Sequence, residues 1–370
     1  MLERNGHTVV RYSRSNDEIA ALTGPKRLLL LKDVIRSERS KQELATLLRN
    51  EKPDVVHVHN TFLVISPSVF ESSREAGVPS VHTLHNYRLL CPGWSFSRNG
   101  KVCEECLEHG LWRSVLHGCY RNSRWMTAAV ALTLQTHRMG RTWERSVDGY
   151  VALTNFAREK FIEGGLPPAA IDVKPNFLDV DPGERESAGS YMLYVGRLSR
   201  EKGVDVLLKA WEKLRSEVRL VILGDGPLRS QLEIEASSRN LANVTFAGWR
   251  DRSAVFAALR NAAALIVPSR CYEGLPMTII ESFACGTPVI CSGFGGMAEI
   301  VDSGRTGLHF HPADECDLAE KIEWALNHQQ LLVEMGRESR RVFERSYTAE
   351  ANYRLLLQIY EKAIAHAALN

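Results

Sequence analysis

The stretch Pro268-Ser-Arg-Cys-Tyr-Glu273-Gly-Leu-Pro276-Met-Thr-Ile-Ile-Glu281 decides the fold class of this chain. The apolar run Ala264–Val267 before it is typical of a buried strand. Proline is tolerated at the start of a helix, so Pro276 is predicted to open one. The chain therefore passes from a strand, through a polar loop, into a helix. Glu281 would lie about one turn into that helix and Glu273 in the loop, so both carboxylates can point to one place.

The same order of strand, loop and helix repeats on both sides of this stretch. Such alternation predicts an α/β fold with parallel sheets and helices on both faces. The polar, turn-rich segment 181–190 is predicted to be a linker. We therefore predict two Rossmann-like, doubly wound domains that face each other across a cleft, at residues 1–180 and 186–345, and a helix at 348–370 that crosses back to the first domain. The predicted strands are Asp54–Val58, Ser80–Thr83, Gly149–Leu153, Ile171–Lys174, Tyr191–Val195, Arg219–Leu223, Val244–Ala247, Ala264–Val267 and Pro288–Cys291.

The beginning of the chain does not supply every element that such a fold needs. Asn5-Gly6-His7 is typical of a helix end, and Thr8–Tyr12 is typical of the strand that follows it. A doubly wound domain has a central strand before that helix. We therefore expect the first domain to lack its first strand and the native chain to start upstream of Met1. We also expect a chain extended upstream to be more stable and more active.

Composition limits the classes of protein to consider. Of the 370 residues, 44% are hydrophobic and 24% are charged, as in ordinary globular domains, and the net charge of +2 does not indicate nucleic-acid binding. No apolar run approaches ~18 residues and no signal peptide is visible, so we expect a cytoplasmic protein without a membrane-spanning helix. Disulfides are rare in the cytoplasm, so the eight cysteines are expected to be thiols or metal ligands.

Three further loops follow predicted strands, at the sheet edge where open α/β folds bind ligands. In Gly196-Arg197-Leu-Ser-Arg-Glu-Lys202-Gly203 the two numbered cations can reach a diphosphate, and a surface loop with ordinary cations is the alternative. Gly224-Asp-Gly-Pro227 taken alone is turn chemistry. The pair Gly295-Gly296 can present backbone N–H groups to an anion. A carboxylate accepts two hydrogen bonds from a vicinal diol, so Glu273 and Glu281 indicate a sugar or ribose; the alternative is a helix-dipole role for Glu281 and a merely solvated Glu273.

As a set, these motifs resemble those of the retaining glycosyltransferases of family four, which have the GT-B fold. The pattern is Gly-Arg-Leu-x-x-Glu-Lys-Gly, then the E-x7-E pair Glu273 and Glu281, then Gly-Gly-x-x-Glu. The resemblance implies that Arg197 and Lys202 hold the diphosphate of a nucleoside diphosphate sugar, that Glu281 holds the ribose, and that Glu273 holds the hydroxyls of the transferred sugar. It also implies that Gly295 and Gly296 cap a phosphate, with Gly224 in the same donor site, and that catalysis needs no metal.

The first half of the chain supplies candidates for the acceptor side. His59-Asn60 and His85 follow neighbouring predicted strands, and Thr154 follows a third. In similar glycosyltransferases a histidine at the position of His85 contacts the donor sugar, so the resemblance gives His85 a catalytic role beside Glu273. His59, Asn60 and Thr154 are acceptor-side candidates. A purely structural histidine is the alternative for both His59 and His85.

Four cysteines lie in a predicted irregular insertion at residues 88–125. Cys91, Cys103, Cys106 and Cys119 have the spacing C-x11-C-x2-C-x12-C. A C-x2-C pair flanked by two further cysteines is consistent with a structural zinc that folds a polar loop. Four unrelated thiols are the alternative, because the outer two cysteines do not form a second C-x2-C pair.

Residues 111–143 are basic and aromatic, and they contain no acidic residue. Such a mixture on a helical stretch indicates an anionic membrane surface. The alternative is a helix that packs its aromatic side chains into the domain core and leaves its arginines in solvent. The side chains concerned are Trp112, Arg113, Arg121, Arg124, Trp125, Met126, Arg138, Met139, Arg141 and Trp143.

These observations predict a hexosyltransferase that works with retention and takes a nucleoside diphosphate sugar. The acceptor would be a glycan or a lipid-linked molecule in surface polysaccharide synthesis, with the protein on the inner face of the cell membrane. Two alternatives stay open, namely a nucleotide-sugar epimerase of the same fold and a non-catalytic truncated fragment. Release of free nucleoside diphosphate when an acceptor is added would favour the transferase, whereas sugar interconversion without an acceptor would favour the epimerase.

Overall fold

The computed structural model describes residues 1–15, 33–62, 64–215 and 217–368. The chain forms two compact units. The first contains Met1–Phe96, Cys103–Lys174 and Tyr353–Asn370, and the second contains Ser97–Val102 and Pro175–Asn352. In the part of the chain described, no helix has both the length and the apolar character that crossing a bilayer requires.

The first unit is built on a parallel sheet of four strands. The strands before residue 175 are β1 Val56–Val58, β2 Ser80–Leu84, β3 Ser97–Arg98, β4 Lys101–Val102, β5 Gly149–Ala152 and β6 Ile171–Val173. The order β1-β2-β5-β6 forms this sheet, while β3 and β4 form a separate antiparallel hairpin. The helices are α1 Glu38–Glu51, α2 Ser68–Glu75, α3 Glu105–His109, α4 Trp112–His117, α5 Arg124–Met139, α6 Thr142–Arg145 and α7 Asn155–Glu163.

Two sequence-based expectations for this half of the chain need correction. Glu3–Asn5 form one short 3-10 turn that ends at Gly6 with φ 84°, which agrees with the predicted helix end. Thr8–Tyr12, however, form no strand. Strand geometry needs a neighbour to accept its hydrogen bonds, and none of the described strands pairs with Thr8–Tyr12. The segment 88–125 is not wholly irregular either, because it contains the β3–β4 hairpin, α3 and α4.

The tryptophans of the basic segment divide between core and surface. Trp143 is buried, whereas Trp112 and Trp125 are exposed. The reason is a break in the helix after Met139, where Arg141 has a left-handed φ of 53°. Trp143 therefore lies on α6 and turns inward. The alternative of a helix that packs its aromatic side chains into the core therefore holds for Trp143 but not for Trp112 and Trp125.

The second unit is a doubly wound sheet of six parallel strands. Its strands are β7 Tyr191–Val195, β8 Arg219–Leu223, β9 Val244–Gly248, β10 Ala262–Val267, β11 Val289–Ser292 and β12 Gly307–Phe310, in the order β12-β11-β10-β7-β8-β9. The order reverses between β7 and β10, and ligands bind beyond the carboxyl ends of strands at such a switch point. The helices are α8 Val204–Lys213, α9 Arg229–Ser238, α10 Arg252–Asn261, α11 Met277–Ala284, α12 Gly295–Ile300, α13 Glu315–Asn327, α14 Gln329–Ser346 and α15 Ala349–Ala367.

The last helix contributes to the core of the first unit. Ile359, Tyr360 and Ala363 of α15 pack with Val81 of β2 and Val151 of β5. The final residues of the chain therefore complete one face of the β1-β2-β5-β6 sheet.

Glycines allow the backbone of neighbouring loops to touch at the switch point. Gly203 has φ 70°, and a Cβ at this position would lie 2.0 Å from the carbonyl oxygen of Pro268. A Cβ on Gly224 would lie 1.9 Å from the carbonyl oxygen of Gly196. Both contacts join backbone to backbone, so no side-chain rotation can relieve them.

We predict that Gly203→Ala destabilises the second unit more than Gly304→Ala does. Gly304 also has a positive φ of 86°, but a Cβ there meets nothing within 4 Å. Gly304→Ala should therefore cost only the left-handed conformation, about 1–2 kcal/mol. Gly203→Ala adds a backbone clash and should cost at least about 2 kcal/mol more. Urea unfolding of both variants measures the difference, and equal losses would show that the loops separate freely.

A second prediction concerns His82, which lies in the core beside Phe70, Trp143 and Tyr150. Burial lowers the pKa of His82 to about 3, against about 6.5 in an unfolded chain. Between these values the unfolded state binds more protons. The contribution of His82 to stability is therefore complete above about pH 6.5 and falls by up to ~1.4 kcal/mol per pH unit on acidification.

Replacing His82 by Phe should remove this slope. The Nδ1 atom of His82 makes no hydrogen bond in the described structure, so replacement by Phe breaks no hydrogen bond at that atom. We expect the stability of His82→Phe to fall less steeply than that of the wild type below about pH 6.5. Chemical denaturation at a series of pH values tests this, and parallel curves for the two proteins would contradict it.

Candidate functional site

The loops after β7, β8 and β10 meet at the switch point of the second unit. The backbone N–H of Arg270 donates to the carbonyl oxygen of Glu201 at 2.8 Å, which joins the loop after β10 to the loop after β7. The N–H of Leu198 donates to the carbonyl oxygen of Asp225 at 2.9 Å, which joins the loop after β7 to the loop after β8. The motifs that were separate in sequence therefore form one surface.

An ion pair between Lys202 and Glu273 lies at the centre of this surface. Lys202 Nζ is 2.6 Å from Glu273 Oε1, and the Ser269 hydroxyl donates to the same oxygen at 2.7 Å. Glu273 is only 8% exposed. Burial by itself lowers the pKa of Lys202. The carboxylate of Glu273 raises this pKa by a larger amount, so the net shift is upward. Lys202 therefore carries its charge at neutral pH, and its ammonium has two more N–H donors to offer.

Glu281 lies on α11, in the second turn of a helix that begins after Pro276. Arg252 Nε is 3.6 Å from its carboxylate. Burial raises the pKa of Glu281, and Arg252 offsets part of that shift. Sequence reasoning identified this carboxylate but missed Arg252, which lies on α10 and carries no motif.

The other donor-side candidates also follow the strands of this sheet. Arg197 is exposed, and its carbonyl oxygen accepts a hydrogen bond from the buried Tyr194 hydroxyl at 3.0 Å, which fixes the loop. Gly295 and Gly296 begin α12, and Gly295 has φ 60°. Tyr272 and Phe294, with ring centroids 5.6 Å apart, connect this end of α12 to the loop that contains Glu273. Gly224 contacts the same surface through Gly196.

Histidines form a connected group at the carboxyl ends of β1 and β2 in the first unit. His59 Nδ1 lies 2.9 Å from His85 Nε2, so one ring donates to the other. The ring of His57 stacks on that of His59 at 4.3 Å, and its two nitrogens bond to the Tyr360 and Thr83 hydroxyls at 2.7 Å each. Thr83 and Tyr360 were not identified from the sequence, and Tyr360 lies 303 residues from His57.

These imidazoles are neutral at physiological pH. Burial, with contributions from the neighbouring cations, lowers the pKa of His57 to about 2 and that of His85 to about 4. Burial also lowers the pKa of Lys174, at the end of β6, to about 8. A neutral imidazole can donate or accept a hydrogen bond but holds no charge against a ligand. The group can therefore orient a hydroxyl.

Asn60 and Thr154 have local structural contacts. The Asn60 side-chain oxygen accepts from the N–H of Phe62 at 3.0 Å, and the Thr154 hydroxyl accepts from the N–H of Ala157 at 3.0 Å as the N-cap of α7. A pocket next to the histidines is lined by His59, Asn60, His85, Arg88, Val130 and Thr133, among others. Arg88, which stacks over Phe62 at 3.7 Å, was missed by sequence reasoning.

Three of the four insertion cysteines lie near one another. A hydrogen bond with the Cys106 thiol lowers the pKa of Cys91, and Cys119 acts on Cys91 electrostatically. Cys103 bonds through its backbone N–H to Phe96. Across the described ranges, no group of three or more His, Cys, Asp or Glu side chains is arranged to hold a metal ion. The zinc site at Cys91, Cys103, Cys106 and Cys119 therefore stays a prediction.

Two family models match the chain over adjoining segments. Residues 1–182 match the model described as Glycosyltransferase Family 4, and residues 181–342 match the model described as Glycosyl transferases group 1.

Curated relatives match over part of their length. An uncharacterized glycosyltransferase of Methanocaldococcus jannaschii is 32% identical over 173 residues, which are 47% of this chain and 48% of that protein. The glycogen synthase of Mycobacterium tuberculosis is 29% identical over 289 residues, which are 75% of this chain and 61% of that protein. The chain thus spans about half to three-fifths of the length of these relatives.

A solved structure agrees with the fold. HepE of Anabaena, in complex with UDP, matches with a TM-score of 0.64 and 18% identity, over 86% of this chain and 82% of HepE. At this identity the likeness shows the architecture alone. The two family models and this shared architecture lead to one conclusion: the chain belongs to the family-four-like glycosyltransferases of the GT-B fold.

Proposed function

We propose that this chain is a retaining glycosyltransferase that moves a hexose-type unit from a nucleoside diphosphate sugar to a glycan or lipid-linked acceptor in surface polysaccharide synthesis. The observation that carries the proposal is the Lys202–Glu273 pair at the β7–β10 switch point. There a fixed cation, which suits a diphosphate, lies beside a fixed carboxylate, which suits sugar hydroxyls. The family models and the UDP held by HepE support a nucleotide-sugar donor.

Each donor-side residue has a role in this proposal. Lys202 and Arg197 bind the diphosphate, and Gly295 and Gly296 contact a phosphate through backbone N–H groups. Glu281 accepts hydrogen bonds from the ribose hydroxyls. Glu273, already oriented by Lys202 and Ser269, accepts them from the transferred sugar.

The proposed reaction depends more on stabilising the charge of the departing diphosphate than on a protein nucleophile. The bond from the anomeric carbon to the diphosphate oxygen breaks and a bond to the acceptor oxygen forms, while the proton of the acceptor hydroxyl passes to the departing diphosphate oxygen. Negative charge grows on the departing diphosphate, where Lys202 and Arg197 stabilise it. The proposal gives neutral His85 a hydrogen bond to the transferred sugar, with His59 fixing the orientation of its ring.

The donor assignment is tested first by nucleotide binding. We expect one of UDP, GDP and ADP, or its sugar, to raise the melting temperature of the protein. A ligand at 100 times its Kd should stabilise by ~2.7 kcal/mol. The same panel on Glu281→Ala is the matched comparison, and no response to any nucleotide in the wild type would contradict a donor site.

We predict different kinetic consequences for the two carboxylates. Glu281→Ala should weaken donor binding and kcat/KM together by roughly 10–100-fold, because its contacts to ribose persist into the transition state. Glu273→Gln should chiefly lower kcat, by roughly 100-fold or more, because its contact strengthens as positive charge develops on the sugar.

Calorimetry for binding and nucleoside diphosphate release for turnover separate the two effects. Glu320→Ala, an exposed glutamate on α13, serves as the control and should behave like the wild type. Equal and small effects at Glu273 and Glu281, within about threefold, would remove the donor-site assignment.

A structural zinc in the cysteine insertion belongs to the proposal as a separate prediction. Protein purified without added metal should contain about one zinc per chain, and Cys106→Ser should lose the metal. The exposed Cys316, outside the insertion, provides the control as Cys316→Ser. Elemental analysis that finds a ratio near zero in soluble, active protein would favour four unrelated thiols.

A further inference from the structure

The outer face of α5 exposes large apolar side chains. Trp125, Leu132 and Met139 are spaced seven residues apart, which puts them on one side of the helix. Their exposed fractions are 64%, 53% and 77%. The opposite side of α5 is buried, with Val130 and Leu134 in a core cluster. Apart from the exposed Gln135 and Thr136, the large side chains on this outer face are apolar, whereas a surface helix normally has a polar outer face.

Positive charge is concentrated at the first end of this outer face. Arg121 and Arg124 are exposed, and Arg121 Cζ lies 5.5 Å from the centroid of the Tyr120 ring. Arg124 Nε donates to the backbone carbonyl oxygen of Leu116 at 3.1 Å, so the exposed residue Leu116 is close to the start of the apolar stripe formed by Trp125, Leu132 and Met139. At the other end Arg141 pairs with Glu144.

The dipole of α5 does not account for Arg124, although its bond to Leu116 ties α5 to the end of α4. The first turn of α5 contains Arg124 and no acidic residue. The N-terminal end of a helix carries partial positive charge, so a cation there is slightly unfavourable. A ligand that supplies negative charge next to an apolar phase would account for both the charge and the stripe.

We propose that α5 lies on the surface of an anionic membrane. Trp125, Leu132 and Met139 would enter the interfacial region, where tryptophan is favoured, and Arg121 and Arg124 would contact lipid phosphates. The stripe from Trp125 to Met139 is about 21 Å long, which is enough for a helix lying flat on the bilayer.

The position of α5 also specifies the acceptor, and this step rests on the proposed function. Val130, Thr133 and Leu134, on the inner side of α5, line the pocket that contains His59 and His85. A membrane on the outer side of α5 therefore lies one helix away from the proposed acceptor-side pocket. Of the two acceptor classes, the lipid-linked one fits this arrangement.

Vesicle binding tests the membrane contact without any sugar donor. The whole chain is sedimented with vesicles of phosphatidylcholine alone and of phosphatidylcholine mixed with phosphatidylglycerol. We expect binding to the mixed vesicles only. The double variant Arg121→Gln with Arg124→Gln should lower the partition coefficient roughly thirtyfold. This is the combined effect of two arginines, each with the typical contribution of an arginine near a charged membrane surface. Trp125→Gln with Leu132→Gln should lower it roughly tenfold or more.

Ile234→Gln is the matched control, because Ile234 is 69% exposed on α9 of the second unit. It should bind vesicles like the wild type. Circular dichroism melting confirms that each variant is folded. Equal binding to both vesicle types, no binding by the wild type, or full binding by the α5 variants would overturn the proposal. So would a change from dimer to monomer in the α5 variants without vesicle binding. Nucleotide binding by the second unit is measured separately, so failure here leaves the donor site untouched.

Discussion

The partly buried ion pair between Lys202 and Glu273 is the interaction on which the proposed donor site depends. A buried charge is costly unless it is paired and hydrogen-bonded. Here the Ser269 hydroxyl supplies the additional bond to the carboxylate. The pair exists because β7 and β10 are neighbours in the sheet, and Gly203 lets the two loops touch through their backbones. The proposed donor site therefore requires the sheet order, Gly203 and the two charged side chains together.

The titratable groups of the two proposed sites differ in their charge at neutral pH. The second unit keeps the charge on Lys202 by pairing it, so it can act on an anionic ligand. The first unit keeps His57 and His85 uncharged by burying them beside each other and beside Lys174. A charged imidazole there would repel its neighbours. This division suits the proposed reaction, in which negative charge develops on the donor diphosphate and a neutral imidazole acts by a hydrogen bond to a sugar hydroxyl.

Sequence patterns predicted the second unit better than the first. β7 and β8 have the predicted bounds, because β7 is a continuous apolar run and β8 is one after its first residue, Arg219. β12, Gly307–Phe310, was not predicted, since four residues beside a turn carry little pattern. The proposed site residues were recognised from motifs, but their partners were not. Lys202 and Glu273 are 71 residues apart, and Arg252 and Tyr360 lie in no motif. The order of strands in the sheet brings such groups together, and the spacing of residues along the chain does not reveal that order.

The thickness of α5 limits what the proposed enzyme can accept from a membrane. An α-helix with its side chains is about 10–12 Å across. If its outer face lies on the bilayer, the pocket lined by its inner face is about that distance from the lipid surface. A lipid acceptor could then keep its chains in the bilayer only if its polar head spans this gap. A sugar carried on a phosphate or diphosphate is long enough for this, whereas a single sugar or a bare lipid hydroxyl is not. The proposed membrane contact therefore selects acceptors by the reach of their headgroups.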